Sequence, residues 1–124
     1  MLDKRNFYIN GKWVSPSKVN DFEVINPSNE EPFATISLGN KEDTDAAVNA
    51  AKNAFIKWKE TSKEERINLL EKLLKIYKKR FNEMTEAITM EMGSPIDYSS
   101  STHTLSGQSH LEDFILRLKE FNFE

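Results

Sequence analysis

The chain has 124 residues, enough for one ordinary domain with a modest core. Its 17 lysines and arginines are mixed with 20 aspartates and glutamates for a formal charge of −3, which excludes the footprint of a polyanion binder, so nucleic acid is not an expected partner. It contains no cysteine, which excludes disulfides, thiolate metal sites and a thiol nucleophile.

The amino terminus, MLDKRNFYIN, lacks an apolar run of signal-peptide length, and no later stretch approaches the roughly 20 apolar residues needed to span a bilayer. A cytoplasmic protein without a membrane partner is expected. In FYINGKWV (7–14), Asn10-Gly11 separates two β-prone runs, and this pair tolerates positive φ at both centres of a type I′ turn, so a hairpin is predicted. A second β-prone run, FEVIN (22–26), is stopped by Pro27, which has no N–H to give a ladder. The turn SNEEP leads into a strand, FATISL (33–38), closed by Gly39.

The pattern then becomes helical. Asn40 followed by Asp43 suits an N-cap with an acidic first turn, and Val48, Ala51, Phe55 and Trp58 fall on one stripe of a helix over about 41–59. Ser62 and Glu65 have the form of a capping box. Beyond them Ile67, Leu70, Leu73, Leu74, Tyr77, Phe81, Met84, Ile88 and Met92 recur at three- and four-residue steps, predicting one long amphipathic helix over 62–92. Gly93 can take the left-handed conformation that ends it, Ser94 can cap the next helix and Pro95 suits a first helical position. The third helix, about 95–121, is expected to be weak in its first half, where YSSSTHTLSGQS carries hydroxyls that compete for backbone hydrogen bonds.

Apolar residues make up only 38% of the chain and charged residues 30%, a thin supply for a core beside such long apolar stripes. Chemistry-bearing constellations are few. His103 and His110 have no third ligand type beside them and read as surface histidines. The glycines at 11, 39, 93 and 107 are too scattered to make a phosphate loop or a dinucleotide fingerprint. Lys72, Lys75, Lys78, Lys79 and Arg80 stand among acids, with Glu71 and Lys75 at helix-stabilising spacing, so a solvated face is expected. Glu91 lies in a last helical turn, where the dipole disfavours an anion and a nearby cation would explain it.

YINGKWV, FEVINPSNEEPFATISL, KEDTDAAVNAAKNAFIKW and TSKEERINLLEKLLKIYKKRFNEMTEAITMEMGSPI, in this order and at these separations, resemble the amino-terminal portion of the NAD(P)-dependent aldehyde dehydrogenase superfamily, from about Phe7 onward. The resemblance implies an α+β fragment of an α/β enzyme: an N-terminal β-hairpin and short strands followed by the three helices. Residues 1–124 would form a single segment resembling the amino-terminal part of the coenzyme-binding domain, packed beside the nucleotide-binding sheet.

In the complete enzyme the resemblance implies thiolate attack on an aldehyde, hydride transfer to NAD or NADP, and thioester hydrolysis to a carboxylic acid. The cysteine, glutamate and asparagine that do this lie downstream of the matching region. No catalytic or cofactor-binding residue is therefore assigned here, no dinucleotide is expected to bind this chain alone, and the chain is expected to be inactive by itself. Its partner would be the remainder of an aldehyde dehydrogenase or another subunit, in a family that is usually homo-oligomeric.

The resemblance also implies a structural monovalent cation, matched here by the backbone carbonyls of Val24 and Ile25 and by the acid Glu91, with some ligands supplied from outside this segment. Glu30 stands where the family often carries glycine, and the turn is expected to shift its positive φ to Asn29. A different class of function, a stand-alone helical interaction module or the complementing half of a split dehydrogenase, is the alternative.

Overall fold

The computed structural model describes residues 1–123 and divides into two compact units, Met1–Glu60 and Thr61–Glu124. The first holds five strands, β1 (Leu2–Lys4), β2 (Phe7–Ile9), β3 (Lys12–Val14), β4 (Asp21–Asn26) and β5 (Glu31–Ser37), followed by α1 (Lys41–Trp58). β2 and β3 form the predicted hairpin in the register Phe7↔Val14, Tyr8↔Trp13 and Ile9↔Lys12. Asn10 and Gly11 both take positive φ, 52° and 74°, as that tight turn demands.

The other sheet has the order β1-β5-β4, with β5 antiparallel to β4 and parallel to β1. Leu2–Lys4 has no strand signal of its own, being short, charged and exposed; it is a strand because β5 offers it a free edge. As the central strand, β5 carries the buried Ala34 and Ser37. The turn Pro27–Glu30 departs from expectation: Glu30 itself holds φ of 60°, not Asn29. The Asn29 side chain is used differently, accepting the N–H of Glu31 at 3.1 Å, while the Asn26 carbonyl accepts that of Glu30 at 2.8 Å.

α1 opens as expected, with Asn40 and Asp43 forming a reciprocal capping box. Its apolar stripe, however, stays largely in the open, and no α1 residue is buried.

The second unit is helical. The continuous helix predicted over 62–92 is broken: α2 (Lys63–Lys79) ends and α3 (Phe81–Met92) begins at Arg80, whose φ of −102° and ψ of 18° lie in the bridge region. Tertiary packing explains the break, because α2 runs along one partner, α5 (Leu105–Glu120), whereas α3 lies on the π-helical segment Ser99–Thr104. The three- and four-residue apolar period continues through the joint and conceals it. Arg80 also staples the uncapped start of α3 by bonding Glu83 at 2.8 and 3.0 Å.

Gly93 ends α3 in the left-handed conformation, φ 67° and ψ 13°. The cap of the next element, α4 (Ile96–Tyr98), is Pro95 rather than Ser94, whose hydroxyl instead meets that of Ser99. The weak half of the third helix is the π-helical segment, continuous with α4 before it and α5 after it. Glu71 pairs with Lys119 of α5 at 2.7 Å rather than with Lys75. No helix among the described residues is long and apolar enough to cross a membrane.

Candidate functional site

In the first unit the site residues read from sequence sit on β4. Val24 pairs with Ala34 and Ile25 with Pro32, and the register shifts between them, a β-bulge. Pro32 has no N–H, so it cannot occupy the carbonyl of Ile25 opposite it. Bulge and proline thus both fall where the two expected carbonyl ligands lie on β4.

Several carboxylates elsewhere in this unit are already paired. Arg5 grips Asp3 through two nitrogens at 2.9 and 2.7 Å and reaches Asp21 at 3.3 Å. Chiefly through that side-chain hydrogen bond, the Arg5 guanidinium lowers the Asp3 carboxyl to about 2. Asp43 accepts the N–H of Asn40 at 3.1 Å and that of Ser17 at 2.8 Å, which hold its carboxyl below the usual range. These carboxylates serve as caps and struts, because each is consumed by a donor of its own unit.

The third expected ligand, Glu91, belongs to the second unit. It is exposed in the last turn of α3, and its carboxylate forms no hydrogen bond or ion pair with any described residue. His103 is half-buried and stacks edge-on against Tyr98, with ring centroids 5.1 Å apart, whereas His110 lies exposed on α5. Among the described residues no three His, Cys, Asp or Glu side chains gather as a metal cluster.

The feature hardest to foresee is a buried seam of hydroxyls between α3 and the π-helical segment. Ser99 and Thr104 are wholly buried. Thr89 donates to Ser99 at 2.9 Å, Thr85 lies 2.9 Å from the Thr104 hydroxyl and donates to the Phe81 carbonyl at 3.1 Å, and Tyr77 donates to the Thr104 carbonyl at 2.9 Å. A π turn brings residues five apart onto one face, so Ser99 and Thr104 can meet Thr85 and Thr89, which are four apart on an α-helix. No buried side-chain nitrogen or oxygen among the described residues lacks a partner. The seam is saturated and offers no group to a ligand.

Near the joint at Arg80 an open groove of about 340 Å³ is lined by Leu73, Ile76, Tyr77, Met84 and Ala87, with Arg80 and Glu83 at its rim. Its walls are apolar and its two charges pair with each other, so it suits packing better than catalysis. With no cysteine in the sequence, neither unit provides a thiolate nucleophile.

The description of the aldehyde dehydrogenase family matches residues 13–121. A 3-succinoylsemialdehyde-pyridine dehydrogenase from a Pseudomonas species is 39% identical over 125 aligned positions, which take in 100% of this chain and 26% of that protein. An aldehyde dehydrogenase structure from Bartonella henselae superposes with a TM-score of 0.98 at 53% identity, over 99% of this chain and 26% of its own. Aldehyde dehydrogenase C of Pseudomonas syringae, solved with NAD+ and octanal, superposes at 0.94 with 31% identity, over 96% of this chain and 24% of its own. The chain therefore belongs to the aldehyde dehydrogenase family, as a segment spanning about a quarter of the length of the relatives it matches.

Proposed function

We propose that residues 1–124 form one amino-terminal segment of the coenzyme-binding domain of a cytoplasmic aldehyde dehydrogenase that oxidises an aldehyde to a carboxylic acid with NAD or NADP. The segment buttresses the nucleotide-binding sheet and is inactive alone. One observation carries this reading: a family match over residues 13–121 in a sequence that has no cysteine to attack the aldehyde. The NAD+ held by the Pseudomonas syringae relative supports NAD as the coenzyme of the complete enzyme.

The partner is the remainder of an aldehyde dehydrogenase, within one polypeptide or as a separate subunit. The purified chain is expected to give no aldehyde-dependent formation of NADH or NADPH, followed by the absorbance of the reduced nicotinamide. Turnover above the enzyme-free rate, surviving further purification, overturns the reading.

We further propose that, in the complete enzyme, the carbonyls of Val24 and Ile25 and the carboxylate of Glu91 help to hold a monovalent cation, the other ligands coming from outside this segment. The bulge beside Pro32 and an acid at the negative pole of α3 whose carboxylate has no partner among the described residues support it. In the complete enzyme, sodium or potassium should raise the melting temperature above that in tetramethylammonium, and Glu91→Gln should remove the difference. An equal melting temperature in all three salts removes the site.

A further inference from the structure

α2 begins with a charge in an unfavourable place. Lys63 is its first residue, at the positive pole of the helix dipole, where a cation is disfavoured. Its ammonium instead donates to the carbonyls of Lys119 at 3.1 Å and Phe121 at 3.0 Å, at the negative pole of α5. One turn further along α2, the Arg66 guanidinium lies 5.8 Å from the ring centroid of Phe123, and that ring stacks edge-on against Phe121 at 4.9 Å. At Phe121 the backbone turns from helical to extended, φ −71° and ψ 129°, while its N–H still bonds the Arg117 carbonyl at 2.9 Å.

We propose that Lys63 is a charge-dependent clasp that caps α5 from another helix and, with Arg66, straps residues 121–123 against the start of α2, fixing the direction in which the chain leaves α5. Two features make the strap depend on charge. The two carbonyls sit at the negative pole of α5 and accept from one ammonium, and that charge gains attraction there while it lies away from the positive pole of α2. Removing the charge frees the strap without loosening α2, whose own start improves when a cation leaves it.

The test is amide hydrogen exchange on the 124-residue chain with Lys63→Met, Lys63→Gln and Lys63→Arg. Met and Gln should raise exchange at the Phe121 amide, which bonds the Arg117 carbonyl, by about tenfold, because the turn it closes loses the charge-assisted bonds from Lys63 to the Lys119 and Phe121 carbonyls. Exchange in the middle of α2 should stay unchanged and the melting temperature should not fall, while Arg should keep most of the protection. Unchanged protection at Phe121 in the Met and Gln variants overturns the clasp. So does a rise spread evenly over α2 and α5, which marks a general loss of stability.

Discussion

Glu30 holds φ of 60° at the last position of its turn, a conformation that costs a side chain with a Cβ about 1–2 kcal/mol and glycine very little. Glu30→Gly should therefore stabilise the chain by about 1 kcal/mol, seen as a higher denaturant midpoint at unchanged slope. Asp43 makes a pH-dependent contribution of known sign. Its carboxyl, near 3.8 when unfolded, is lowered in the fold by the N–H groups of Asn40 and Ser17. The stabilisation is complete above the unfolded value and is lost as the pH falls through the lower folded value. Acid should thus loosen the start of α1, followed by amide exchange at residues 40–44, and Asp43→Asn should flatten that dependence. At this scale the sequence was most legible where one residue type answers one local demand: Asn10 and Gly11 in their turn, Gly93 at its corner, Asn40 and Ser62 as caps. Glu30 was illegible because the register on both sides, Asn26↔Glu31, fixes the turn against local preference.

Among elements, what local pattern misses is decided by neighbours. The apolar period that places Tyr77, Phe81 and Met84 on one stripe runs through Arg80 without a sign that α2 and α3 serve different partners. The hydroxyls of YSSSTHT suggest a weak helix, yet two of them, Ser99 and Thr104, are buried, because Thr85 and Thr89 meet them from α3. Gly107 shows the same dependence: a Cβ there would collide with the Tyr77 hydroxyl and come within 3.0 Å of its ring carbon Cζ. Alanine is the better helix former by about 1 kcal/mol, but the collision forces Tyr77 off the Thr104 carbonyl. Gly107→Ala should therefore lower stability by about 1–2 kcal/mol net, checked by thermal unfolding, against the sign that helix propensity alone gives.

For the whole molecule, the thin composition corresponds to a thin interior: among the described residues the buried apolar ones are Ala34, Ile67 and Ile115. Phe55, Ile56, Ile76 and Phe114 stand exposed at 54% or more, although the backbone superposes at 0.98 on a relative four times as long. Such faces associate in water. The purified chain should show a sedimentation coefficient that rises with concentration, and Phe114→Ser, at a site 69% exposed, should weaken the rise. The stripes were legible in the sequence because periodicity needs no partner; how far each would stay exposed was not, because that depends on packing between elements. The proposed cation ligands divide in the same way, since Val24 and Ile25 sit at a bulge whereas Glu91 shows only an acid without a partner among the described residues. Directional bonds, unlike grease, also set an address: were α3 to slide one residue along the π-helical segment, the oxygens of Ser99 and Thr104 would be stranded in a dry place. Slippage along that seam is thereby penalised, so α3 and the π-helical segment are keyed to one alignment.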